Sequence, residues 1–354
     1  MAKLKLLTYE EVRQEIGTKR SHLLLGNGFS IACNPIYHYG NLYDFAKKNG
    51  LTKHVQGVFD YLGSNNFEGV MRLLEDGVWL AGHYGLKSAA KAKGDMAEDL
   101  KSVKHALVEA LAKTHLQIPN EVGNDRLEQC SEFMKPYQNV FTLNYDLLLY
   151  WVALHDEELL RRDGFRDSED DEDADYCVFR EHIGGDKGIF FIHGALHLYV
   201  EAGEVRKHTW SKTGVRIIDR VQEGLSNNQY PLFVAEGMAE KKKIQIQANS
   251  YLSYCLGKFQ RIEGPLVIFG LSLGESDQHI LDSISHNSKL PEIYVGLYGD
   301  PDFEVNKSIR HKCHELQSTR QQFAAKKKGG QELTIKFYDS STTQVWEVLN
   351  DSTK

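Results

Sequence analysis

An apolar run, Gly188-Ile189-Phe190-Phe191-Ile192, ends on His193-Gly194. A short β-rich run of this kind reads as a strand buried on both faces, and open α/β sheets present their chemistry at strand ends. His193 would stand at the carboxyl edge of such a sheet. An imidazole there can act as a general base near neutral pH, and Gly194 lets a ligand or another backbone come close. The plainer reading is a histidine satisfied inside the core. A second polar group, Thr142-Leu143-Asn144-Tyr145-Asp146, follows the apolar stretch Asn139-Val140-Phe141 and precedes an apolar helix expected over 147–154. An amide and a carboxylate two residues apart at a strand-to-helix junction can face one cleft and bind sugar hydroxyls or a water. They can equally be local helix caps.

Two glycine turns complete the set. Gly26-Asn27-Gly28-Phe29-Ser30 follows His22-Leu23-Leu24-Leu25, and Gly270-Leu271-Ser272-Leu273-Gly274-Glu275-Ser276-Asp277 follows a strand expected over 265–269. Backbone N–H groups approach a pyrophosphate best where no side chain intervenes, so the first turn is a candidate phosphate loop; without a full GxGxxG it also fits an ordinary tight turn. The second could hold another ribose or phosphate, with Asp277 more simply the N-cap of the next helix.

Other groups argue against metal. His197 lies four residues past His193, roughly 13 Å away along a strand, too far for a shared ion. Cys33, Cys130, Cys177, Cys255 and Cys313 are dispersed with no CxxC pair, which opposes a disulfide framework and a zinc ribbon alike. Seven carboxylates between Asp167 and Asp175 read as a solvated loop, because Glu172 stands where a calcium loop needs glycine. The lysine runs 241–243 and 326–328 read as solvated faces.

The elements that must position these residues follow from periodicity. Thr8 and Glu11 have capping-box spacing, which predicts a helix over 9–16. Residues 41–137 read as a helical insertion with helices over 51–61, 67–81, 96–115 and 125–133. Beyond His193 come a β-leaning stretch, 205–210, and a helix over 215–225. Strands over 231–235, 265–269, 292–297 and 333–338 then alternate with helices over 244–259, 278–285 and 305–325. Such alternation predicts an α/β, Rossmann-like doubly wound, mainly parallel sheet with helices on both faces. The expectation is a single domain over 1–354, with its core in 1–40 and 138–354 and the insertion in 41–137. With 354 residues, 41% hydrophobic, 26% charged and net charge -7, the composition is that of a globular protein and makes no electrostatic case for nucleic acid. No apolar stretch has signal-peptide or membrane-spanning character, so a cytoplasmic location is expected.

Taken in order, Gly26-Asn27-Gly28-Phe29-Ser30, Thr142-x-Asn144-Tyr145-Asp146, His193-Gly194 and Gly270-x-Ser272-Leu273 resemble the sirtuin family. The closer likeness is to sirtuin-like domains of bacterial proteins, several of which are NAD-degrading anti-phage effectors. The resemblance spans about 21–338. It implies NAD+ as substrate, with Gly26, Asn27, Gly28, Phe29 and Ser30 at the pyrophosphate, and Thr142, Asn144 and Asp146 about the nicotinamide ribose. His193 would be catalytic together with Asn144 and Asp146, and Gly270, Ser272, Leu273 and Asp277 would lie near the adenosine ribose. Asn27 stands where the family has alanine, and the zinc-holding cysteine pairs of the protein-deacylating members are missing. The expected activity is cleavage of the nicotinamide-ribosyl bond of NAD+ by water, without a metal. A non-catalytic NAD or ADP-ribose-binding scaffold and a deacylase or ADP-ribosyltransferase are the alternatives. A homo-oligomer, self-associating through the insertion and restrained until an activating partner or trigger arrives, is also expected.

Overall fold

The computed structural model describes residues 4–84, 89–160, 162–169, 174–181, 187–210, 214–227, 229–235, 238–326 and 331–347. Its main sheet grows from short apolar runs. Three of them, β1 (His22–Leu25), β5 (Gly188–Phe191) and β8 (Leu266–Phe269), are buried at every position. Because side chains alternate across a sheet, burial at successive positions means that both faces are covered. With β2 (Asn139–Thr142), β9 (Glu292–Leu297) and β10 (Thr334–Asp339) they form a six-stranded sheet of order β10-β9-β8-β1-β2-β5, parallel throughout. The chain is thus α/β around a parallel sheet, compatible with a Rossmann-like fold.

The strand order locates a crevice. From β1 the chain runs outward to β2 and β5, then returns to the other side of β1 for β8, β9 and β10. The reversal lies between β1 and β8, and such switch points open a crevice at the carboxyl ends of the strands. Leu25 pairs with Phe269, so Gly26 and Gly270 leave the sheet side by side. Their loops touch: Gly26 N–H donates to Phe269 O at 3.0 Å and Gly28 N–H to Gly270 O at 2.8 Å. A Cβ on Gly26 would lie 2.6 Å from Gly270 O, and one on Gly28 2.6 Å from Gly270 Cα. These glycines therefore let two loops meet, and the first passes at once into helix Asn27–Cys33.

Several elements differ from the sequence expectation. A second sheet, antiparallel and of order β3-β4-β7-β6, is built from β3 (Phe165–Asp167), β4 (Tyr176–Phe179), β6 (Leu198–Glu201) and β7 (Glu204–His208); only β7 was foreseen. The expected strand 231–235 is reduced to one bridge, Phe233 against Gly194. Pro231 offers no N–H to a ladder. The helix expected over 244–259 is two helices, Ala239–Ala248 and Ser250–Gln260, because Asn249 is extended and caps the second through Leu252 N–H. Finally, β5 ends at Phe191 and the chain turns at Gly194, φ +79°. The strand spacing that separated His193 from His197 therefore does not apply. His197 is buried instead against the rings of Tyr150 and Phe191, at 4.4 and 4.9 Å between centroids. The acidic run lies in part, at 170–173, outside the described residues.

The insertion folds as helices Tyr39–Lys48, Lys53–Leu62, Phe67–His83, Ala89–Thr114 and Asn124–Met134, the first of them unforeseen. Val55, Phe59, Phe67, Met71, Leu107 and Val108 join the same buried core as the sheet. Helix Tyr9–Ile16 has the expected Thr8/Glu11 capping box, and just before it Leu7 bridges Tyr338, lengthening the β10 edge. Among the described residues no helix is long and apolar enough to cross a membrane.

Gly270 has φ +69°, and a Cβ there would lie 2.6 Å from Phe29 N. Gly270→Ala should cost at least about 1–3 kcal/mol, the range for one non-glycine residue held in a sparsely populated backbone region. Urea unfolding with an unchanged slope and a lower midpoint would register it; a loss under 0.5 kcal/mol, on the order of a neutral surface change, would contradict the packing described.

Candidate functional site at the switch point

A cavity of about 1090 Å³ opens over the carboxyl ends of the strands. Gly26, Asn27, Gly28, Asn144, Asp146, His193, Gly270, Ser272 and Asp277 all line it. All four polar stretches singled out in the sequence therefore meet on one cavity. Phe29, Ser30, Thr142 and Leu273 stand behind its wall. Phe29 packs against Trp346, 4.9 Å between ring centroids, and its carbonyl accepts from the indole N–H at 2.9 Å. Leu273 is fully buried at φ +55°.

Ser30 and Thr142 organise the pair in front of them. Asn144 N–H donates to Thr142 Oγ1 at 3.0 Å, while Asn144 Nδ2 donates to Gly26 O at 3.0 Å and Ser30 Oγ at 2.8 Å. Both amide protons are thereby spent, and no donor among the described residues reaches the carbonyl oxygen of Asn144. Ser30 in turn donates to Asp146 Oδ2, and Asp146 Oδ1 accepts Leu148 N–H at 2.9 Å. The carboxylate therefore secures the first N–H of helix Leu148–His155 from one residue before the N-cap position, which Leu147 holds, while also lining the cavity. Burial raises its pKa, partly offset by the Ser30 and Leu148 donors. The next N–H, of Leu147, donates to His115 Nε2 at 2.9 Å, so the insertion, through the residue that follows helix Ala89–Thr114, also holds this junction.

His193 is buried, with Nε2 2.9 Å from Nε2 of His279 and the Tyr145 ring stacked 6.4 Å away. Burial lowers its pKa well below the usual imidazole value, and the nearby Lys242 charge and His279 add to the effect. It is therefore a neutral imidazole at pH 7. Below it sits an ionic cluster. Lys242, 1% exposed, lies 2.9 Å from Glu68 and 3.5 Å from Asp277. Tyr145 Oη donates towards Glu68 Oε1 and Val234 O, at 2.9 and 3.0 Å. Burial alone would lower the Lys242 pKa, but the two carboxylates raise it above its ordinary value. Glu68 is correspondingly held low by Lys242 against its burial. Asp277 is pushed up to about 6, burial outweighing the same cation.

The cluster corrects two sequence expectations. Lys242 belongs to a run read as solvated but is sealed in, while Lys241 and Lys243 flank it on a helix that turns different residues to different sides. Asp277 occupies the N-cap position of helix Gln278–His286 yet makes no capping bond; its carboxylate faces Lys242. Glu68, Arg72, Lys242, Glu275 and His279 were missed as site residues altogether. Arg72 pairs with Glu275 across the cavity rim at 2.5 Å. Lone charged residues in amphipathic helices carry no spacing signal. Among the described residues no three His, Cys, Asp or Glu side chains converge on a metal position.

Sheet and cavity together define an α/β protein with a ligand-sized cavity at the switch point of a parallel sheet. Within that class the chain belongs to the family described as domain of unknown function DUF4917, whose model matches residues 23–346. The match runs from β1 through Trp346 and so takes in every cavity residue named above. No curated protein matches the chain.

Removing Lys242 strands two buried carboxylates. Lys242→Met should destabilise the fold by about 3–5 kcal/mol, the penalty for breaking a buried pair from one side. In Lys242→Met/Glu68→Gln part of that loss should return. Equal unfolding free energies for the wild type and Lys242→Met would show the cluster to be solvated.

Proposed function

We propose that the chain is an NAD+ hydrolase that cleaves the nicotinamide-ribosyl bond and transfers the ADP-ribosyl group to water. The carrying observation is the convergence of Asn144, Asp146 and His193 with the Gly26–Gly28 and Gly270–Ser272 turns on one cavity at the switch point. The volume suits a dinucleotide. The resemblance to sirtuin-like domains supplies the substrate and, by itself, a role in anti-phage defence.

The chemistry asks little of a nucleophile. The C–N bond breaks with the electron pair leaving on nicotinamide, water adds to the oxocarbenium-like carbon, and the water's proton must go to a base. Asn144 contributes a carbonyl oxygen that no donor among the described residues occupies, an acceptor for a ribose hydroxyl or the attacking water. Asp146 holds Ser30 and the start of helix Leu148–His155, fixing that acceptor in place. His193 is the base that takes the proton. The buried wall limits access of bulk water to the reacting carbon.

A module that binds NAD+ or ADP-ribose without turnover is the second reading. What favours it is that Nε2 of His193 is already engaged by His279. Consumption of NAD+ by the purified chain separates the two. His193→Ala and Asn144→Ala should each lower the rate by about 100-fold to 10,000-fold while the proteins stay folded; folded variants consuming NAD+ at the wild-type rate would refute the assignment. Because burial, Lys242 and His279 hold the His193 pKa down, the base form persists as pH falls through 6.5. The acid limb of the pH–rate profile should lie below that value, and a limb at 6.5 or above would point to a solvated imidazole.

Self-association through the insertion belongs to the same proposal. Its apolar inner faces are buried within the chain, but Tyr61, Trp79, Leu80 and Tyr84 stand exposed on it. Light scattering should find an oligomer that Trp79→Ser/Tyr84→Ser weakens; a wild-type monomer that hydrolyses NAD+ unaided would dismiss both self-association and restraint.

A further inference from the structure

Glu68 and Arg72 stand four residues apart on helix Phe67–His83 and both line the cavity, as neighbours on one helix face do. Their surroundings differ. Glu68 is drawn inward to Lys242 and Tyr145, and the Tyr145 ring stacks on His193. Arg72 lies one helical turn, roughly 5 Å, farther along the helix. It meets Glu275 at the rim, 2.5 Å away, with 46% and 66% of the two side chains exposed. The turn that carries Glu275 begins at Gly270, whose carbonyl accepts Gly28 N–H, and brings Ser272 and Gly274 to the cavity on the way. Arg72 thus closes on the outer end of a wall whose inner end is the contact between the two glycine turns. The charges on the cavity are one-sided. Among the described residues Glu68, Asp146, Glu275, Asp277 and Glu304 line it, against a single lysine or arginine, Arg72. Glu68 and Asp277 are answered by Lys242 from behind the wall, Glu304 by Lys307 at 2.8 Å, and Asp146 by Ser30 and the Leu148 N–H. A dinucleotide would bring two further negative charges into this cavity, and Arg72 is the cation placed to receive them.

We propose that Arg72 is the phosphate-binding residue of the cavity: its guanidinium leaves Glu275 and pairs with the pyrophosphate shared by NAD+ and ADP-ribose. This rests on the reading of the cavity as a dinucleotide site. An exposed ion pair contributes little, so the exchange is cheap, whereas arginine meets a phosphate through two parallel charge-assisted N–H bonds. The position fits the order of groups along the ligand. Glu68 stands at the His193 end of the helix face and Arg72 one turn beyond it, as the phosphates lie beyond the ribose from the reacting carbon. The insertion then contributes to substrate binding as well as to the cavity wall.

The test uses the full chain with ADP-ribose as the probe, because it carries the pyrophosphate of NAD+ and has no nicotinamide bond to cleave. In isothermal titration calorimetry Arg72→Gln should raise the Kd by about 10-fold to 150-fold, the range for hydrogen bonds to a charged group. Arg72→Lys keeps the charge without the fork and should fall between that variant and wild type. Glu275→Gln removes the competing carboxylate, so ADP-ribose should bind as tightly as to wild type or up to about 5-fold more tightly. A bridge that only held the insertion against the turn would weaken binding in Arg72→Gln and Glu275→Gln alike. Salt gives a second readout: between about 0.1 and 1 M KCl the wild-type affinity should fall, and that of Arg72→Gln should fall less. A folded Arg72→Gln with wild-type affinity and salt response overturns the assignment, as does weaker binding by Glu275→Gln or a wild type that binds no ADP-ribose. Should Arg72→Gln fail to fold, Arg72→Lys and Glu275→Gln decide by the same two measures. A wild type that binds ADP-ribose but consumes no NAD+ removes the hydrolase reading and leaves Arg72 to these affinities; NAD+ consumption with no effect at Arg72 keeps the hydrolase and removes the assignment.

Discussion

An ammonium group cannot be taken out of water unless opposite charges come with it. Lys242 is such a group, and its two carboxylates come from distant parts of the chain, Glu68 from the insertion and Asp277 from the turn after β8. The insertion therefore cannot swing from the sheet without stranding a buried charge. Tyr145 extends the constraint by reaching Glu68 and Val234 O, and Val234 N–H in turn donates to His193 O at 2.8 Å. One buried cation thus orders the end of β2, the turn after β5, the turn after β8 and a helix of the insertion. What looks in sequence like an appendage is a wall of the cavity.

Beside this charged cluster lies a network that works the other way. Ser30, Asn144, Asp146 and Thr142 exchange hydrogen bonds within a few ångströms, and nearly every donor is spent on a neighbour. Among the described residues no donor reaches the Asn144 carbonyl oxygen, and Asn144 lines the cavity, where a ligand donor can meet that oxygen. The two loops touching through Gly26, Gly28 and Gly270 hold this network at fixed height above the sheet. The glycines make that contact possible, a reason for their presence independent of any phosphate.

Legibility in the sequence tracked the length and purity of each pattern. The apolar runs of β1, β2, β5, β8 and β9 are short but unbroken, and β10 alternates around Lys336; each was readable, as was the parallel alternation that joins them. The polar turns at their ends were readable for the same reason, since polarity abruptly following a buried strand is conspicuous. Strands β3, β4 and β6 were not: β3 and β6 include charged residues, and β4, though apolar, directly follows the acidic run read as a loop. Nor could Lys242 or His279 be found, since what makes each part of the site is contact far along the chain, 174 residues for Lys242 with Glu68 and 86 for His279 with His193. The break at Asn249 was hidden by continuous helical periodicity, which a single extended cap interrupts without altering the pattern on either side.

The place of β1 in the sheet has a consequence for synthesis of the chain. Its neighbours are β2 on one side and β8 on the other, and Leu25 and Leu266 are 241 positions apart, taking 25 from 266. At about 5–20 residues per second, a ribosome needs roughly 12–50 s to bridge that interval. Throughout it the β8-facing edge of β1, a row of unpaired backbone groups flanked by three leucines, has no native partner to cover it. The nascent chain is therefore most prone to aggregation at the strand that ends at the center of the finished sheet, and a holdase that shields 22–25 until β8 emerges would govern its yield in the cell.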